Sequence, residues 1–379
     1  MITIIKKLLL FSVLVICCFV TLTGCKQSGD SDKVTIVDMD GETITITKNP
    51  QKVACCRSAY DLLIAFGLGD KIDGVDKKVL ANPWTAVFYP ESKNHYAYEY
   101  ENSYELYLSR GVDLVFSPEK RITDDLREHG INAVTVKLYG TPTFDDYIHS
   151  FSNMIAQIWP DAKVQEASKA WNDKLDKAIL DITTELAKHN LPKEKLFYVR
   201  GDKDKGIGYT DTKGCFAEYA YRVLGFDCMS SQLDSYGNSV SAEALCEYNP
   251  DVFVMGGVYQ LKHVAEIKET EPYTTLDAVK NNRIYTIPMG LTQMEQLNAL
   301  SPEFFYDQAN RLYPNIFNFD VKTMIKNSVK AYFGTDLTDQ QVEYMLNGLN
   351  PDGGSLYWWI KSRYYSYYYL YVFSSSCLY

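Results

Sequence analysis

Histidine is scarce in this 379-residue chain, and its five copies are scattered at His95, His129, His149, His189 and His263. Neither His-x-x-x-His nor Cys-x-x-Cys spacing occurs, so the sequence offers no clustered site for a bare transition metal. A Gly-x-Ser-x-Gly elbow, a His-Glu-x-x-His helix and a P-loop are also missing, which removes the familiar signatures of hydrolases and nucleotide-driven enzymes. The glycines from Gly201 to Gly208 lack the dinucleotide-binding pattern. Positive charge is in deficit: 38 Lys and Arg stand against 48 Asp and Glu, a net −10. That balance argues against a nucleic-acid partner. Beyond the first two dozen residues no stretch is long and charge-free enough to span a bilayer, so a soluble body is expected.

What is present begins at the N-terminus. Lys6 and Lys7 precede an apolar run from Leu8 to Val20, interrupted by Ser12. The run is short for a membrane span and has the layout of an export signal. It ends in Leu22-Thr23-Gly24-Cys25, the form of a bacterial lipobox: small residues admit the peptidase, and the Cys25 thiol carries the lipid. Residues 1–24 are therefore expected to be a lipoprotein signal peptide, Cys25 the lipidated residue, and 25–33 a polar tether. Several acyl chains on one cysteine give stable anchoring where one would not. Without the signal, Lys6 and Lys7 are lost and 36 basic residues remain. The expected location is the extracytoplasmic face of the cell membrane. In such a compartment disulfides are permitted, and Cys215 with Cys228 is the pair to test; Cys55 and Cys56 read as buried thiols, and the state of Cys246 is open.

The body reads as α/β. Val34 to Thr47 alternates around Asp40-Gly41, which predicts a hairpin. Short apolar strands follow at Val53–Cys56, Asp113–Phe116 and Ala133–Val136, with helical stretches between them, and this alternation predicts parallel sheets flanked by helices. From Asp161 to His189, apolar residues recur every three or four positions (Val164, Ala167, Trp171, Leu175, Ala178, Ile182, Leu186) between Pro160 and Pro192, which predicts one long helix. The strand pattern then restarts at Lys195–Val199, Asp251–Met255 and Ile284–Ile287. The fold class expected is two α/β lobes, each with a mostly parallel sheet, joined by one long rigid helix: residues 34–158, a connecting helix at 159–191, and 192–350. An internal echo supports two related lobes. Ser103-x-Glu105 precedes Asp113 by the spacing at which Ser241-x-Glu243 precedes Asp251.

Several segments resemble the periplasmic-type binding proteins for ferric siderophores, haem and cobalamin. They are Asp38-x-x-Gly41, Asn49-Pro50, Leu62-Leu63-x-x-Phe66-Gly67-Leu68-Gly69-Asp70-Lys71-Ile72, Asn249-Pro250-Asp251-Val252, Ala278-Val279-Lys280-Asn281-Asn282-Arg283-Ile284-Tyr285, Pro288-x-Gly290 and Tyr313-Pro314-x-x-Phe317. The resemblance covers roughly residues 34 to 350. It implies a ligand held between two lobes, no catalysis, no resident cofactor, and delivery by a monomer to an ABC permease. It also implies one exposed docking glutamate per lobe, at Glu105 and Glu243. Those carboxylates equally suit the positive end of a helix dipole, and the two roles are compatible.

In open parallel sheets the binding crevice lies beyond the carboxyl ends of the strands. That rule selects Arg57, Ser58 and Tyr60 after the first strand of lobe one, and Arg200 after the first strand of lobe two. Facing guanidinium forks suit an anionic ligand, although either arginine could instead pair with a nearby acid such as Asp61 or Asp202. Trp84, Tyr89, Tyr139 and Tyr209 are aromatic candidates for the organic part of a chelate, with Met289 and Gly290 after the last strand. The run Tyr96, Tyr98, Tyr100, Tyr104 and Tyr107 reads as a stretch that packs on itself. The expected ligand is a metal chelate held through its organic shell, most simply a ferric siderophore. Haem, a corrinoid or a molybdate-type oxyanion stands second, and a surface adhesin or enzyme accessory third. Residues 351–379, rich in tyrosine and aperiodic, fall outside this pattern; their aromatics with Lys361 and Arg363 suit a membrane interface, a shifted reading frame would leave the same mark, and nothing after Gly354 is expected to join the core.

Overall fold

The computed structural model describes residues 32–137, 148–233 and 239–356. Cys25, Tyr139 and the tyrosine-rich tail lie outside them. A hairpin opens the described chain: β1 (Lys33–Val37) pairs antiparallel with β2 (Thr43–Thr47). The Asp38 carboxylate accepts the backbone N–H groups of Asp40 and Glu42, each at 3.0 Å, and Gly41 takes φ +81° to close the turn. Ile36 and Ile46 turn inward, as the alternation requires.

Lobe one is built on β3 (Val53–Cys55), β4 (Ile72–Asp76), β5 (Tyr96–Tyr98), β6 (Leu114–Ser117) and β7 (Ala133–Thr135). They form a parallel sheet in the order β5-β4-β3-β6-β7. Every residue of β3, β6 and β7 is buried, the mark of strands covered on both faces. Lobe two has β8 (Lys195–Val199), β9 (Asp227–Cys228), β10 (Val252–Met255) and β11 (Ile284–Thr286), parallel in the order β11-β10-β8-β9.

The sequence echo has a physical cause. Ser103 and Ser241 sit at the N-caps of the helices Tyr104–Arg110 and Ala242–Tyr248. After each helix an aspartate clamps the neighbouring strand: Asp113 accepts the N–H groups of Gln51 and Lys52, at 2.8 and 2.9 Å, and Asp251 accepts that of Lys195 at 2.8 Å. In both lobes one carboxylate thereby registers the central strand against its partner.

The long helix spans Ala162–Leu186, 25 residues, or about 37 Å at 1.5 Å per residue. Asp161 caps it by accepting Lys163 N–H at 2.8 Å. Val164, Trp171, Leu175, Ala178 and Ile182 are buried along one stripe, with Ser168 beside them. The Trp171 indole donates to the Ala299 carbonyl at 3.1 Å, fixing the helix to the second half of the chain. One apolar core runs from lobe one past this helix into lobe two, and a smaller cluster covers the other face of each sheet.

Two expectations are corrected here. Cys215 and Cys228 are not bridged; with Cys55, Cys56 and Cys246 they are free thiols. The core also does not stop at Gly354. Asn350 accepts the N–H groups of Asp352 and Gly354, each at 2.9 Å, and the turn they form carries Leu356 into the main core at 1% exposure. Truncation after Leu356 is expected to leave the melting temperature within a few degrees. Truncation after Gly354 removes a fully buried leucine, worth about 1.5–3 kcal/mol, and should lower it measurably in the same thermal scan.

Candidate functional site

In lobe one the chain leaves β3, builds β4 and β5 to one side, then crosses back to β6 on the other. The carboxyl ends of β3 and β6 therefore diverge, and such a switch point leaves a crevice. Cys56 and Arg57 after β3, and Ser117 and Pro118 after β6, line a pocket there. Lys78, Tyr98, Tyr100 and Tyr107 line it too. In lobe two β8 is followed by β9 on one side and β10 on the other. Arg200 and Gln296 enter the same pocket from that lobe.

The two arginines predicted from the strand-end rule thus meet in one pocket. Arg57 opens the helix Arg57–Ala65, and its Nη1 donates to Gln293 Oε1 at 3.2 Å. The Gln296 amide donates to the same oxygen at 3.1 Å, so the hydrogen bond reaches from one lobe to the other. Arg200 N–H donates to the Tyr209 carbonyl at 2.8 Å, its guanidinium lies 5.7 Å from the Tyr209 ring centre, and Nη1 donates to Asp211 Oδ1 at 3.2 Å. Its acidic partner here is Asp211, whereas Asp202 uses Oδ1 to accept Asp204 N–H. Behind Arg200 the two chain passes come close: Gly201 N–H donates to Gly256 O at 3.1 Å. A Cβ on Gly257 would stand 2.2 Å from Gly201 O, with Gly257 itself at φ +71°, so only glycine serves there.

Burial shapes the acidity of this seam. The Cys56 thiol is pushed up to about 12, chiefly by loss of solvent, so it is a poor nucleophile. Asp61 is raised to about 7 by burial, against the lowering effect of the Ala299 N–H that donates to it. Burial also raises Asp211 to about 6, with Arg200 opposing.

The other predicted ligand contacts lie elsewhere. Trp84 is fully buried and donates its indole N–H to the Leu349 carbonyl at 2.9 Å. Gly290 accepts from the Asn82 amide at 2.8 Å, and a Cβ there would press on Met345 and Phe88. Met289 is 1% exposed and donates its backbone N–H to Met345 O. Trp84 and Gly290 thus join the two lobes, Met289 is tied within lobe two, and none of the three lines this pocket. Tyr60 is buried with its hydroxyl 2.9 Å from His95 Nδ1, and Ser58 is buried with no partner for Oγ. Tyr89 is half-buried, its ring 5.8 Å from that of His95. Tyr209 backs Arg200. The aromatic wall instead comes from the tyrosine run expected to pack on itself. Tyr98 and Tyr107 do pack together, at 5.1 Å, but they and Tyr100 also face the pocket. The signal was available, since Tyr98 and Tyr100 stand at the carboxyl end of β5, where the strand-end rule points.

Glu105 and Glu243 are exposed in the first turns of their helices. Each carboxylate is held below its usual range by its own backbone N–H and by the hydroxyl of the N-cap serine. Among the described residues no group of three or more His, Cys, Asp or Glu is placed to hold a metal, and no helix is long and apolar enough to cross a membrane.

The family model for periplasmic binding proteins matches residues 59–290, more than half of the chain. The chain belongs to the periplasmic binding protein family. An uncharacterised ABC transporter substrate-binding lipoprotein of Bacillus subtilis, YvrC, is 24% identical over 302 residues, covering 77% of this chain and 89% of that one. The structure also resembles Helicobacter pylori CeuE in a Ni-His complex, with TM-score 0.66, 15% identity, and coverage of 83% and 99% of the two chains. The ABC-type Fe3+-hydroxamate transport protein of Saccharomonospora viridis gives TM-score 0.58 at 18% identity, covering 74% and 99%. Both likenesses place the fold: two parallel-sheet α/β lobes with a long helix. The chain is thus a solute-binding protein of an ABC transporter, with a small-molecule ligand and permease subunits as partners.

Proposed function

We propose that this protein is a lipid-anchored receptor that captures a ferric-siderophore-type chelate between its lobes and hands it to an ABC importer. The observation that carries this reading is the convergence of Arg57 and Arg200, one from each lobe, on a single pocket walled by Tyr98, Tyr100 and Tyr107. Planar forks of donors bind the anionic oxygens of a chelate, and aromatic faces bind its organic shell. The YvrC description as a lipoprotein and the Leu22–Cys25 motif support the anchor. A tether of a few residues then keeps the body at high effective concentration beside the permease.

Glu105 and Glu243 complete the reading as docking points, rigid because each is tied to its own helix start. Replacing both with alanine is expected to leave chelate affinity within about twofold, since neither lines the pocket, while transport in cells falls to background. Calorimetric affinity and radiolabelled uptake measured on the same variant separate the two effects. A loss of affinity would move both residues into the binding site.

A further inference from the structure

Among the described residues that line the pocket, Arg200 is the one cation of lobe two, and it stands against buried acid. Asp211 accepts from its guanidinium at 3.2 Å and is 8% exposed. Glu295 is 4% exposed; Oε1 accepts Gly257 N–H at 2.7 Å, and Oε2 has no hydrogen-bond partner. We infer that Asp211 is a positioning residue that holds Arg200 toward the cleft, and that Asp211 and the neighbouring Glu295 take up a proton when an anionic ligand engages the guanidinium. The inference rests on the chelate-binding reading and adds a coupled proton to it.

The charges around the pair are few. Asp211 feels the charges of Arg200 and Glu218, Glu295 those of Asp211 and Arg200, and Glu295 acts in turn on the phenols of Tyr198 and Tyr221. Glu218 is held by Arg222 and by the Ser231 hydroxyl, at 3.2 and 2.6 Å. One buried carboxylate is thus bonded to the guanidinium and a second feels its charge, and a ligand anion would be a further claimant. Burial and their mutual repulsion already raise Glu295 to about 7 and burial raises Asp211 to about 6, each against the lowering effect of Arg200. Negative charge arriving at Arg200 raises both further, so near neutral pH the seam binds a proton as it binds the ligand. By linkage, affinity then weakens as pH rises through this range, by up to about tenfold per pH unit for each proton fully coupled.

The test is calorimetric titration of the full soluble body at pH 7 with a hexadentate ferric tris-catecholate, in two buffers of different ionisation enthalpy. The slope of heat against buffer enthalpy gives the proton uptake. The wild type should take up about half a proton or more. Glu295→Gln should lose a large part of this, and D211N/E295Q should lose most of it. Asp211→Glu should keep the uptake of the wild type, whereas Asp211→Ala should weaken binding by releasing the arginine. Equal uptake by the wild type and D211N/E295Q, with binding intact, overturns the inference and leaves the chelate reading standing. Absence of binding at either buffer condition overturns both.

Discussion

Replacing Arg57 or Arg200 with alanine is expected to weaken chelate binding by between about thirtyfold and about 150-fold. That corresponds to about 2–3 kcal/mol, the loss found when one partner of a desolvated, hydrogen-bonded charge pair is truncated. Arg57 is half-buried against Gln293 and Arg200 against Asp211, so each guanidinium is already oriented and little rotamer entropy remains to be lost on binding. Lysine at either position should recover only part of the loss, because an ammonium keeps the charge without the planar fork. Effects of the two should be less than additive if one anionic group bridges both arginines, and additive if each holds its own. Titration calorimetry on the two single variants and the double variant distinguishes these outcomes. Unchanged affinity in R57A/R200A would remove the pocket from the binding reading.

Trp84→Ala is expected to cost about 3–5 kcal/mol of stability, the range for emptying a fully buried aromatic site. Trp84 is 0% exposed, packs its ring 6.0 Å from that of Phe88, and donates to Leu349 O across the seam between lobes. Truncation therefore leaves a cavity and an unmet carbonyl together. Trp84→Phe keeps most of the volume and loses only the hydrogen bond, so its cost should be smaller by at least half. Urea midpoints and thermal scans of both variants check this. If Trp84→Ala unfolds at the wild-type midpoint yet fails to bind chelate, the residue belongs to the cleft and not to the core.

The contrast between Arg57 and Trp84 shows how far the sequence could be read. Both follow strands of lobe one, and the strand-end rule selects such segments without saying which side chains turn into the crevice. Arg57 is the first residue of its helix, directly after β3, and has little freedom to point elsewhere. Trp84 lies on a short helix beyond β4, where its direction is decided by Leu349 and Phe88, one of them 265 residues away. No local pattern contains that contact. Gly290 and Met289 are placed in the same way, by contacts with Met345 far along the chain. The long helix was legible because a 3.6-residue stripe is local, and Val164, Trp171, Leu175, Ala178 and Ile182 are buried as spaced. Leu356 was not legible, because a turn built by Asn350 carries it into the core from a segment whose composition resembles no fold. Tyr98 and Tyr107 do pack against each other, but that contact leaves them facing the pocket as well, which the self-packing reading had not allowed for.

The central claim is that an anionic metal chelate binds between the lobes at Arg57 and Arg200. Equilibrium dialysis of the purified soluble body against radiolabelled ferric catecholate, ferric hydroxamate and ferric citrate, with haem, cobalamin and molybdate as comparators, tests it most directly. The expected result is tight binding at one site per chain of a ferric chelate, abolished or strongly weakened in R57A/R200A. Retention of none of the ferric chelates, or retention indifferent to both arginines, would contradict it.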